Sequence, residues 1–238
     1  MIDEVVIEMM TGDFILWRCL HGGPISRETI DQWASDAKMP WARYRARNKA
    51  LIDKFTEVYG ACAVVARRGE TVVGHLRFYP RVVWEMEGAG FLCLQQDFPA
   101  GPRDDFSALD FPLRKELEEQ TLKIHCLMTA SLGEKGNPYQ RKGIGTRMVQ
   151  RLIEWAGESG WKRIEADAFE DLPIIYQVTG SAGRTFWERL GFRVAKRFPH
   201  AHLREYNEFV GKLEEQAICA GIDIEKAKDC IVVRLDLA

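Results

Sequence analysis

The stretch Tyr139-Gln140-Arg141-Lys142-Gly143-Ile144-Gly145-Thr146 has the residue types and spacing best suited to chemistry. Gly143 and Gly145 lack Cβ atoms, so a ligand can come close to the main chain there. Successive N–H groups in a glycine turn, backed by the unpaired amides and positive end of a following helix, cradle an anion. Arg141, Lys142 and Arg147 add positive charge around such a cradle. The chemistry implied is phosphate binding, chiefly by backbone amides. Neither Gly-x-Gly-x-x-Gly nor Gly-x-x-x-x-Gly-Lys-Ser/Thr is present, which excludes the two commonest nucleotide fingerprints. The plain alternative is a pair of glycines easing a loop into a helix.

Proton transfer has four candidates. A general base works best when its pKa lies near the operating pH, which a histidine meets unperturbed. His125 lies within the apolar run Leu122 to Thr129, and strand alternation puts it on the face shared with Lys123 and Leu127. Glu165 and Asp167, same-face neighbours in the run Arg163 to Phe169, are its rivals, and His75 is a weaker one.

These residues need a frame. Leu122 to Thr129 is short, apolar and free of Gly and Pro, so it reads as a strand. Ile144, Met148, Leu152 and Trp155 repeat at helical spacing after the glycine turn. Upstream, Val5 to Met10 and Phe14 to Leu20 predict a hairpin, and helices follow over Arg27 to Ala37 and Trp41 to Tyr59. Ser26 is the expected cap of the first. Cys62 to Ala66 and Thr71 to Phe78 read as strands around a turn at Arg67-Arg68-Gly69-Glu70. Val82 to Glu87 and Phe91 to Gln95 suggest a further hairpin.

Downstream, Arg163 to Phe169 is a strand, Asp171 to Gly180 a loop, and Ser181 to Leu190 a helix capped by Ser181. Phe192 to Arg197 and Ile231 to Leu237 are the last two strands, with an amphipathic helix from Leu203 to Ala217 between them. Residues 97–120 carry three prolines and seven acidic against three basic residues. Long irregular insertions are often lids or binding loops, and the acidity here suits a cationic amine.

Composition bounds the rest. A chain of 238 residues, 46% apolar, can bury one substantial core and is read as a single domain over 1–238 with an insertion at about 81–120. A net charge of −2 gives no overall field to recruit nucleic acid or an anionic membrane. The basic residues of 41–54 are read as a solvated face. No apolar run spans a membrane, and the acidic start is unlike a signal peptide, so a soluble, cytoplasmic chain is expected. The cysteines at 19, 62, 93, 126, 219 and 230 are scattered, without zinc spacing, and no metal is expected.

Two motifs carry a family resemblance. Gln140-x-x-Gly143-x-Gly145 between strand and helix resembles the acetyl-CoA signature of the GNAT N-acetyltransferases, Gln/Arg-x-x-Gly-x-Gly/Ala. About forty residues on, Trp187-Glu188-Arg189-Leu190-Gly191-Phe192 resembles the ending of that family's fourth helix. The resemblance covers residues 61–80 and 121–198 best. It implies the α/β GNAT acyl-CoA N-acyltransferase fold, a mixed, mostly antiparallel central sheet flanked by helices. It also implies acetyl transfer from acetyl-CoA to a primary amine of a small molecule or peptide, with general-base assistance.

By the same resemblance the pyrophosphate lies on the amides of Arg141, Lys142, Gly143, Ile144, Gly145 and Thr146, and the acyl group near Met128 and Thr129. His125 falls close to where some members place a catalytic histidine or glutamate. Trp187 stands where many members have the tyrosine that protonates the leaving sulfur, and Gly180 where an asparagine contacts the pantetheine. Tyr176 or water is the substitute acid, and a thiolate of pKa near 8–9 can also leave unaided. The missing tyrosine and asparagine leave a non-catalytic acyl-CoA-binding or regulatory module as the alternative, and a homodimer stays open.

Overall fold

Val-rich segments on either side of Gly69-Glu70 pair into the hairpin that anchors the first half of the chain. The computed structural model describes residues 5–12, 14–18, 20, 23–30, 41–85, 111–131, 136–179, 181–205 and 207–237. Two compact units result, Met1–Trp161 and Lys162–Ala238.

In the first unit, β1 (Val6–Met9), β2 (Ala63–Arg68), β3 (Thr71–Pro80) and β4 (Thr121–Thr129) lie side by side in that order, all antiparallel. Helix α1 (Trp41–Tyr59) precedes β2, the short α2 (Arg81–Glu85) follows β3, and α3 (Ile144–Glu158) follows β4. Adjacent strand residues face opposite ways, so Phe78 and Tyr79 mark the two faces of the sheet. Phe78 meets Trp155 of α3, ring centroids 5.2 Å apart, while Tyr79 meets Phe55 of α1 at 4.6 Å. Ile144, Met148, Val149, Leu152 and Ala156 form the buried stripe of α3. Gly74 lets that helix sit close, because a Cβ there would stand 3.3 Å from both Ile144 Cγ2 and Met148 Cε. His75 and Arg77 alternate with Gly74, Leu76 and Phe78, and therefore lie on the α1 face.

The second unit orders its strands β5 (Arg163–Ala168), β7 (Asp229–Asp236) and β6 (Arg193–Pro199), again antiparallel. Its helices are α4 (Pro173–Thr179), α5 (Arg184–Glu188), α6 (His202–Glu205), α7 (Asn207–Cys219) and α8 (Ile224–Ala227). Phe169, Leu172, Ile175, Leu203, Leu213, Ala217 and Cys230 build its core.

Several expectations change. Among the described residues of 14–20 there is no strand, and β1 pairs with β2 instead. The carbonyls of Leu16 and Trp17 are taken by side chains, Arg77 Nη2 at 2.7 Å and Asn48 Nδ2 at 3.1 Å, so that segment needs no ladder. Arg81–Glu85 is helical where a strand from Val82 was expected; the rest of that hairpin, most of the acidic insertion and the helix beyond residue 30 lie outside the described residues.

The expected loop at 171–180 contains α4, which Pro173 opens at the first helical position, where a missing N–H costs nothing. Ser181 does not cap the next helix. Gly183 does, and the Asp171 carboxylate accepts from Thr185 N and Oγ1 at 3.0 and 2.8 Å. The helix expected from Leu203 to Ala217 is covered by α6 and α7, on either side of residue 206, which lies outside the described residues.

Candidate functional site

The glycine turn starts at the end of β4, and Asn137 fastens it there. Its Nδ2 donates to the carbonyl and Oγ1 of Thr129 at 3.2 and 2.9 Å, while its Oδ1 accepts from Tyr139 N at 3.0 Å. The Asn137 carbonyl also accepts from Gln140 N at 3.2 Å. One side chain thus ties the strand end, where Met128 and Thr129 lie half-buried, to the turn that follows. Sequence reasoning missed Asn137, although an Asn-Pro pair opening a turn is a known signal.

Beyond it, Arg141 and Gly143 both adopt the left-handed conformation, with φ of 57° and 73°. That is uncommon for a residue with a side chain, and it turns the amides outward on the way into α3. The first helical bond is from Arg147 N to the Gly143 carbonyl. The amides of Ile144, Gly145 and Thr146 precede it and have no carbonyl one turn back. Arg141, Lys142 and Gly143 are exposed, Gln140, Gly145 and Thr146 half-buried, and Ile144 packs inward. A Cβ at Gly143 would meet nothing within 4 Å, so the space over the turn is open. This arrangement fits a phosphate group. Arg147 is used otherwise: its Nη2 donates to the Val5 carbonyl at 2.7 Å and holds the start of β1.

His125 occupies a special place on β4. Arg77 of β3 lies opposite Cys126 and Phe78 opposite Ile124, so the register shifts there and His125 is the extra residue of a β-bulge. Such bulges re-aim a side chain and gather near active sites. Strict alternation from Lys123 through His125 to Leu127 is therefore interrupted. The imidazole lies 6.0 Å from the Tyr79 ring, between centroids. Burial and then the positive charge of Arg77 push its pKa down to about 4. His75, the weaker rival, is buried with Nε2 3.0 Å from Cys126 Sγ.

The other named residues lie in the second unit. Glu165 is buried on β5, and Arg234 of β7, directly across the ladder, donates to its Oε1 from Nε at 3.0 Å and Nη2 at 2.8 Å. That carboxylate is committed to an ion pair. Asp167 is half-buried on the same strand, and Tyr176 is exposed on α4. Trp187 is buried edge-on to Phe186 and Phe192, with centroids 5.0 and 5.2 Å away. Its indole N–H has no acceptor among the described residues. Gly180 lies outside them.

A model of the acetyltransferase (GNAT) family matches residues 27–192. The chain belongs to the GNAT acetyltransferase family. The fold expected from the two motifs is the fold of that family.

Among solved structures, this GNAT chain is similar to a GNAT acetyltransferase from Elizabethkingia anophelis with acetyl-CoA bound. The identity is 14%, over 99% of each chain, with a TM-score of 0.42. It is similar at 14% identity to an IAA acetyltransferase from Bacillus cereus ATCC 14579, over 98% of this chain and 100% of that one, TM-score 0.42. An aminoglycoside 6'-N-acetyltransferase complexed with coenzyme A is 12% identical over 98% and 97%, TM-score 0.45. No curated protein matches the sequence. Among the described residues, no helix is long and apolar enough to cross a membrane, and no group of three His, Cys, Asp or Glu could hold a metal ion.

Proposed function

We infer that this GNAT chain is a single acetyltransferase domain that moves an acetyl group from acetyl-CoA to a primary amine, directly and with His125 as general base. The observation that carries the reading is the pairing of an open, left-handed glycine turn with a bulged histidine on the strand that leads to it. The turn amides and the start of α3 suit the pyrophosphate, with Arg141 and Lys142 at its rim. A main-chain N–H near Met128 or Thr129 meets the thioester carbonyl, as the family pattern implies. Trp187 offers a buried N–H that lacks an acceptor among the described residues.

The reaction forms one bond between the amine nitrogen and the acyl carbon and breaks the carbon–sulfur bond. Positioning supplies much of the rate, on the order of 7–11 kcal/mol in well-oriented models. A base as weak as His125 suffices if the amine arrives neutral. Its nitrogen becomes strongly acidic only as the new bond forms, and the imidazole then takes that proton. The sulfur leaves as a thiolate and is protonated by water or by Tyr176. Glu165 is the poorer base because Arg234 already holds it. Asp167 stays a candidate.

The second reading is an acyl-CoA-binding module without turnover. It is favoured by Trp187, which cannot yield a proton where many family members carry a tyrosine. Release of CoA thiol from acetyl-CoA in the presence of a panel of amines, polyamines, aminoglycosides and peptides separates the two. Amine-dependent thiol release is expected. Tight acetyl-CoA binding with no release for any amine would leave the module.

A further inference from the structure

His75 and Cys126 form a base–thiol pair that acetyl transfer leaves unused. Arg77 of β3 stands directly across the ladder from Cys126, and His75 stands across from Met128. His75 is therefore the diagonal neighbour of Cys126 on one face of the sheet, within side-chain reach. Its Nε2 lies 3.0 Å from Cys126 Sγ. The imidazole is buried, whereas the cysteine is partly exposed.

A cysteine reacts as its thiolate, and thiolates form where a base and a positive charge lie close to an accessible sulfur. His75 is the base. Arg77 is the charge, and its field reaches both neighbours of Cys126. Burial and then Arg77 lower the pKa of His125, the preceding residue on β4. Burial pushes the Cys62 thiol up to about 11, with the Arg77 charge opposing it. Cys62 is thus a buried, protonated thiol under the same field, without the exposure that lets Cys126 meet a small reagent.

We propose that Cys126 is an oxidation site, a thiol that hydroperoxides convert reversibly to the sulfenic acid and so switch acetyl transfer off. His75 takes the thiol proton, and the thiolate sulfur attacks one peroxide oxygen. The S–O bond forms as the O–O bond breaks, and the second oxygen leaves as water, or as an alcohol, with the proton from His75. Two equivalents of a thiol reductant restore the cysteine and depart as a disulfide plus water. The added oxygen stands against His75 and beside the His125 bulge, on the strand that leads to Met128 and Thr129. The loss of transfer rests on the transfer reading, whereas the thiol chemistry does not.

The test exposes the full chain to hydrogen peroxide with dimedone at neutral pH and maps the sulfenic acid adducts by peptide mass spectrometry. Cys219, exposed on α7, is the reference thiol in the same molecule. Cys126 should be labelled about tenfold or more faster than Cys219. His75→Gln should slow Cys126 about tenfold and leave Cys219 unchanged. If that variant does not fold, the ratio in the parent decides alone. After removal of peroxide, amine-dependent release of CoA thiol should be reduced about tenfold or more in the parent, return with dithiothreitol, and persist in C126S treated the same way. Cys126 labelled no faster than Cys219, activity that survives full oxidation of Cys126, or equal losses in parent and C126S would overturn the proposal. Fast labelling of Cys126 in protein that binds acetyl-CoA but releases no thiol, treated or untreated, would count against the transfer reading and leave the oxidation site standing.

Discussion

His125 is the residue that β4 inserts opposite the Arg77–Phe78 step of β3, and the Arg77 charge adds to burial in keeping its imidazole neutral. An imidazole held neutral in this way can accept a proton across the whole neutral range. It is also far weaker than a free histidine.

One consequence is kinetic. With a pKa of about 4 rather than 6.5, log(kcat/KM) should show no His125 limb between pH 6 and 8. Any limb there should follow the pKa of the amine when the acceptor is changed. His125→Gln should cost on the order of 10²–10⁴ in kcat/KM with little change in acetyl-CoA affinity. A glutamine variant of full activity would move attention to Asp167.

Another consequence is thermodynamic. A histidine whose folded pKa lies below its unfolded value takes up its proton first in the unfolded chain. As pH falls from about 6.5 to about 4, the unfolded state gains protons that the folded state refuses, and stability drops. Urea titrations of the parent and of His125→Gln across that window should diverge, the parent losing more. Parallel curves would mean that the imidazole is not held neutral.

Asn137 links Thr129 to Tyr139 and so sets where the cradle sits relative to the strand. Asn137→Ala should raise the KM for acetyl-CoA about tenfold while the protein stays folded. Asn137→Asp keeps the acceptor for Tyr139 N and loses the donors to Thr129, so an intermediate effect is expected. The same KM in all three proteins would refute the positioning role.

Glu165 is expected to matter for stability more than for rate. Glu165→Gln removes the charge from a buried pair whose partner is partly exposed, and should cost about 1–3 kcal/mol in chemical denaturation. kcat should change less than threefold. A loss of activity comparable to that of His125→Gln would reopen Glu165 as the base.

What could be read from the residues beforehand follows physical lines. The turn from β4 into α3 was legible because glycines and a 3.6-residue apolar stripe are local signals. The helix of 41–59 and the β2–β3 hairpin were legible for the same reason. The bulge at His125 was not, since it depends on the register between β3 and β4, which no local pattern encodes. The burial of Arg77 was not legible either, since it depends on the distant Leu16 carbonyl that accepts from its Nη2. Glu165 looked available because its partner, Arg234, is 69 residues away. Pro173 could have announced α4, had it been taken as a helix start rather than a breaker.

The central claim is that acetyl-CoA binds on the amides of the glycine turn, and calorimetry on Gly143→Val/Gly145→Val tests it most directly. Gly143 has a φ of 73° and open space above it, so a branched side chain both resists the conformation and occupies the cradle. The parent should bind acetyl-CoA, and the variant should lose at least about tenfold in affinity while still unfolding cooperatively on heating. A folded variant that binds acetyl-CoA as tightly as the parent would contradict the account.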